Sequence, residues 1–152
     1  MDYVKALQGG TLEIFETMVM MPILPGPVTE GADGALINAR VTGMIGFGGS
    51  IKGMIAVSAT ADMAKAVTGS LLGMEIAELE DDVKDAFGEI ANMIAGTLKS
   101  ACSRENITIQ LAIPNSVVGE TLHISGLKGA QRVVTEFSSS VGRLWVELKF
   151  IE

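Results

Sequence analysis

Asp85, Glu89 and Asn92 stand four and three residues apart in DVKDAFGEIANMIAG, residues 82–96, among Phe, Ile, Ala and Met. On a helix this spacing puts two carboxylates and one amide on a single face. The carboxylates can engage a cation. The amide can donate and accept hydrogen bonds without adding charge, so it can orient a water beside an anionic group. At about 100° per residue, Asp85 lies roughly 40° and Asn92 roughly 60° to the same side of Glu89. Gly96 falls about 20° from Glu89, and Asp82, Lys99 and Ser103 extend the same polar stripe. Val83, Phe87, Ile90, Ile94 and Leu98 occupy the opposite face, within roughly a 100° arc.

An amphipathic helix always has a polar face, so an ordinary solvated stripe is one reading. Two details favour a site. Asparagine in mid-helix costs up to about 0.7 kcal/mol against alanine, and Lys, Glu or Gln would solvate the face more cheaply. The small residues Gly88, Ala95 and Gly96 would also let another surface approach closely. Periodicity alone leaves both readings open.

The elements that must position this stripe follow from pattern. Residues 3–21 read as a first helix with Val4, Leu7, Leu12, Phe15 and Met18 or Val19 on one face. Gly9 and Gly10 interrupt it, and Pro22 and Pro25 end it. Pro25 to Gly34 reads as a loop. Two strands, Ala35–Gly46 and Ile51–Ser58, flank GFGGSIKG at 46–53. A phosphate loop would need a helix after those glycines. Here a strand follows, so a hairpin with glycine at positive φ is expected. A small-ligand site built on this segment has little else behind it.

TADMAKAVTGSLLG reads as a second helix with Thr60 as N-cap, Asp62 in the first turn and Gly73 as the stop. The acidic link MEIAELED leads into the site helix, expected from about Asp81 to Ser103. Four strands close the chain: ITIQLAIP, TLHISGL, QRVVTEFSSS and GRLWVELKFIE. In the last, Leu144, Val146, Leu148 and Phe150 alternate with Trp145, Glu147 and Lys149. The expected class is α+β, an antiparallel sheet with helices packed on one face, forming a single domain over residues 1–152.

Composition excludes several functions. Eleven basic against eighteen acidic residues give a net charge of −7, which repels phosphate backbones and argues against nucleic acid as a partner. Hydrophobic residues make up 48% with a mean hydropathy of +0.41, yet no run of about 20 apolar residues exists to span a bilayer. A well-filled core or a buried subunit interface is expected instead. Cys102 and His123 are single, so an internal disulfide, a CxxC metal motif and a Ser/His nucleophile pair are excluded or improbable. His123 reads as structural. No signal peptide pattern opens the chain, and a cytoplasmic location is expected.

DAFGEIANMIAG carries D-x3-E-x2-N through Asp85, Glu89 and Asn92, and so resembles the CheC/CheX family of chemotaxis phosphatases. IGFGGSIKGMIAVS is similar to that family's central hairpin, AKAVTGSLLG to its second helix, and IQLAIPNSVVG to the strand and turn after its site helix. The resemblance covers most of residues 3–150 and implies a pseudo-repeated fold. Its CheC-like members usually carry two signatures and its CheX-like members one. Here the first helix offers Gly9, Glu13 and Glu16 at the matching spacing, without asparagine, which places the chain nearer CheX.

The resemblance implies hydrolysis of the aspartyl phosphate of a CheY-like response regulator. Asn92 would position the attacking water, and Glu89 would engage the regulator's active-site lysine. Asp85 would bind the partner or shape the surface. Mg²⁺ would sit on the regulator, so no cofactor of the chain's own is expected, and a metal held by Asp85 and Glu89 alone would be weak. A homodimer joined through its sheets is also implied, a role that would suit the long C-terminal strand. The alternative is a non-catalytic module binding a response regulator or a flagellar switch component.

Overall fold

The computed structural model describes residues 1–31, 37–119 and 129–152. His123, the expected strand TLHISGL and the start of the strand expected from Ala35 lie outside the described residues.

Helix α1 spans Tyr3–Ile14, and a π-helical segment, Phe15–Val19, continues it. Asp2 caps α1, its carboxylate accepting the Lys5 amide at 3.0 Å. The expected single helix to residue 21 ends earlier, because Met20 turns left-handed at φ 58°. After it, Leu24–Glu30 forms strand β1, where a loop was expected. Prolines are tolerated there because β1 is an edge strand: Pro25 and Pro27 have no N–H to lose to an outer neighbour. Its pairing with β6 (Gln131–Ser139) shifts register between Pro25 and Val28.

Strands β2 (Val41–Gly49) and β3 (Lys52–Ala59) form the expected hairpin. Gly49 has φ +132°, and a Cβ there would overlap the Thr108 carbonyl, so the turn requires glycine. Helix α2 spans Ala61–Leu72 and stops at left-handed Gly73, as its sequence predicts. Thr60 occupies the N-cap position, but its hydroxyl does not cap the helix. Instead it accepts the Arg143 amide at 3.2 Å and ties α2 to the last strand. Helix α3 runs from Asp81 to Arg104.

The strand expected at 107–114 is shorter, β4 (Ile109–Leu111), and a further strand that was not expected, β5 (Asn115–Val118), follows it. Both pair with β2, β4 along Phe47–Gly49 and β5 along Val41–Met44, leaving a corner at 112–114 between them. Strand β7 (Gly142–Ile151) completes a seven-stranded antiparallel sheet in the order β1-β6-β7-β3-β2-β4, with β5 also on β2. β7 lies inside the sheet, bonded to β6 on one side and β3 on the other, and has no free edge.

The helices cover one face. Val41, Ile45, Ile55, Val57, Val133, Phe137, Leu144, Val146, Leu148 and Phe150 are buried beneath them. The alternation predicted in β7 holds, with a difference on the far face. Trp145 and Glu147 are buried too, Trp145 among Ala39, Val134 and Ile37 with its indole N–H on Glu136 at 3.0 Å, and Glu147 paired with Arg132. A buried charge on a strand is kept by such a partner. Among the described residues no helix is long and apolar enough to cross a membrane.

Helices α1 and α3 lie antiparallel. Gly10 meets Thr97, while Tyr3 lies near Cys102 and Glu105 at the far end of α3. Burial pushes the Tyr3 phenol above its ordinary value, and Cys102 and Glu105 push it further.

Candidate functional site

Helix α3 is held down by its apolar face. Val83, Phe87, Ile90, Ile94 and Leu98 are all buried, as the periodicity predicts, with Ala86, Ala91, Ala95 and Cys102 beside them. Each large side chain contributes about 1.5–3 kcal/mol by leaving water. Asp81 and Asp82 in the first turn and Arg104 in the last complement the helix dipole.

Two glycines set the depth at which α3 sits. A Cβ on Gly43 of β2 would overlap the backbone of Phe87, so the helix rests directly on that strand. On α3 itself, a Cβ on Gly88 would reach within 3.1 Å of Ser116 Oγ and 3.9 Å of the Pro114 ring. Pro114 at the end of the corner and the start of β5 therefore lie against the helix. Ser116 Oγ donates to the Lys84 carbonyl at 2.7 Å, and the Asn115 side-chain oxygen accepts the Ser116 amide at 2.9 Å.

Packing in this way fixes the outward face. Asp85 and Glu89 are exposed and Asn92 is half-buried, on one stripe with exposed Asp82, Lys99 and Ser103 and half-buried Gly96. Tertiary structure thus keeps the three residues together as the helical angles predict. Asp85 and Glu89 border an open cleft of about 450 Å³, closed on its other side by Pro114, Asn115 and Ser116 and at one end by Lys84. Asn92 lies one turn beyond the cleft.

The small residues near the stripe have separate tasks. Gly88 and Ala95 are buried, Gly88 beneath the corner and Ala95 in the core, so they serve internal packing and do not admit a partner. Only Gly96 faces open space, with no atom within 4 Å of where its Cβ would be. The corner was missed as part of the site. Its signal in the sequence was Pro114 followed by Asn115 and Ser116, turn residues inside an apolar run.

In α1, Gly9, Glu13 and Glu16 are all exposed. Glu16 lies within the π-helical segment, and the hollow beside it is lined by Leu12, Phe15, Met20, Met21, Pro22 and Ile23. Among the described residues no group of three or more His, Cys, Asp or Glu side chains could hold a metal ion.

Comparison with known proteins agrees with this architecture. Residues 41–138 match the family model described as chemotaxis phosphatase CheX. The chemotaxis protein CheX of Desulfovibrio desulfuricans shares 28% identity and superposes with a TM-score of 0.88, covering 99% of this chain and 100% of its own. A CheC-like superfamily protein from Shewanella sp. PV-4 shares 26% identity at a TM-score of 0.90, covering 99% and 98%. The same fold, at 22% identity and a TM-score of 0.84 with 99% of each chain covered, occurs in the CheX–CheY–BeF3–Mg²⁺ complex from Borrelia burgdorferi. The curated proteins give no significant sequence match.

Proposed function

The chain belongs to the CheX family of chemotaxis phosphatases, and from this premise we propose that it hydrolyses the aspartyl phosphate of a CheY-like response regulator. One observation carries the reading: Asp85, Glu89 and Asn92 leave the same face of a helix whose other face is locked into the core. The complex of the Borrelia protein with CheY supports a regulator as the partner.

An aspartyl phosphate is already activated. Catalysis then needs a water placed in line with the phosphorus, which is chiefly a matter of positioning. Asn92 orients that water through its side-chain amide. A carboxylate in its place would repel the phosphoryl oxygens by about 4 kcal/mol per charge pair at 4 Å and an effective dielectric of 20. The neutral amide keeps the hydrogen bond without that repulsion.

Glu89, one turn away and exposed, accepts a charge-assisted hydrogen bond from the regulator's active-site lysine and fixes the docked register. Asp85 contributes to docking on the same side. Mg²⁺ belongs to the regulator in this scheme, and the chain supplies no cofactor of its own.

The test is dephosphorylation of CheY-type regulators phosphorylated with acetyl phosphate. Wild type is expected to accelerate phosphate loss. Asn92→Ala should remove that acceleration while binding of the beryllofluoride-activated regulator persists. Full activity in Asn92→Ala would remove the asparagine from the mechanism. Binding by wild type without any acceleration would favour a non-catalytic interaction module.

A further inference from the structure

Ile113 is 89% exposed, the most exposed large apolar side chain among the described residues. Single exposed apolar residues are common and usually need no explanation. Two features of its setting set this one apart. It immediately precedes Pro114, which lines the cleft shared with Asp85 and Glu89. It is also held on a fixed support and not on a loose loop.

Both sides of the corner are anchored to β2, by β4 before it and β5 after it. Next to Ile113, the Ala112 amide donates to the Gly46 carbonyl at 2.9 Å. Ser116 Oγ bonds the Lys84 carbonyl at 2.7 Å, and Gly88 leaves room for Pro114 and Ser116 to approach α3. Nothing in this packing uses the Ile113 side chain, since it buries almost no surface within the chain. A preorganised apolar group one residue from the wall of a polar cleft can bury its surface against whatever docks there, with little ordering cost on this side.

We propose that Ile113 is a docking residue for the response regulator, an apolar contact beside the polar register set by Glu89. It acts on how tightly and which regulators bind, and leaves the reacting groups alone. This rests on the reading that the cleft face of α3 receives a regulator.

The experiment measures both catalysis and binding for Ile113→Ser and Ile113→Val. The probes are the CheY-type regulators of the same organism, phosphorylated with acetyl phosphate for kinetics and beryllofluoride-activated for calorimetric titration. Ile113→Ser should raise KM and weaken binding about tenfold, the loss expected for one buried aliphatic anchor. Its kcat should change less than twofold, and its melting temperature should hold because the side chain is outside the core. Ile113→Val should recover most of the affinity.

If wild type hydrolyses the regulator and Ile113→Ser keeps its KM and affinity, the docking role is wrong and the phosphatase reading stands. If wild type binds without hydrolysis and Ile113→Ser weakens binding, the docking role stands and the phosphatase reading falls. If wild type neither binds nor hydrolyses any of these regulators, both are wrong.

Discussion

Helices α1 and α3 lie side by side and antiparallel on the same sheet face, and Gly9, Glu13 and Glu16 repeat the four-and-three spacing of Asp85, Glu89 and Asn92. Their surroundings differ. Around Glu89 the neighbours are Lys84, Asp85, Asn115 and Ser116, and a turn beyond it stands a neutral amide. Around Glu16 they are Leu12, Phe15, Met20, Met21, Pro22 and Ile23. Continuity differs too. Helix α3 is regular from Asp81 to Arg104, whereas α1 gives way at Phe15 to π-helical bonding, where each N–H reaches one residue further back. Glu16 therefore stands at the start of the altered bonding, whereas Asn92 lies in the middle of an unbroken helix. Equal spacing in sequence makes equal sites only when the helix between the residues is equally regular and their flank equally polar.

The largest contrast should come from the two final positions. Asn92→Ala is expected to lower the rate of regulator dephosphorylation about 100-fold or more, the loss typical of one positioned transition-state hydrogen bond. Glu16→Ala should alter it less than twofold. Similar losses from both variants would mean that α1 also reacts.

Seating of the site helix comes next. Gly43→Val drives a side chain into the Phe87 backbone, and repacking should cost about 1–3 kcal/mol, read as a lower midpoint in urea. Activity should fall with it, because the face bearing Glu89 and Asn92 must lift or tilt. An unchanged midpoint would show that α3 does not rest on β2 in this way.

A smaller effect distinguishes the two helical glycines that have open space beside them. Gly9 and Gly96 have no neighbour where a Cβ would be placed, so alanine at either should add about 0.5–1 kcal/mol of stability. Gly96→Ala should also weaken regulator binding if a partner approaches closely at the stripe, whereas Gly9→Ala should leave binding alone. Identical binding in both variants would mean that α3 has no closer contact there than α1.

The smallest effect is expected from grafting. Glu16→Asn combined with Gly9→Asp completes the D-x3-E-x2-N spacing on α1, yet it should add no measurable rate to an Asn92→Ala background. Recovered activity would show that residue type, and not helix regularity and flank, separates the two regions.

Much of this was legible beforehand for a physical reason. Helical periodicity reports which residues face a core, so Val83, Phe87, Ile90, Ile94 and Leu98 and the opposing polar stripe could be read without coordinates. The alternation in β7, the hairpin at Gly49 and the stop at Gly73 were equally local. Local pattern misplaced β1, because a Pro-rich segment reads as loop until an edge position relieves its missing donors. It also missed β5, since the Pro-Asn-Ser residues that open it read as a turn and local pattern does not reveal that the chain pairs with a second stretch of β2.

The sequence by itself therefore determined the outward face of α3 and the chemistry it can offer, since residue types and a 3.6-residue period are properties of the chain alone. Tertiary structure decided what stands beside that face. The Pro114–Ser116 corner reaches Glu89 only because β5 pairs with β2, Gly43 lets α3 rest on that strand, and Gly88 gives the corner room. Those contacts join residues far apart in the chain, through backbone approach that no local spacing encodes.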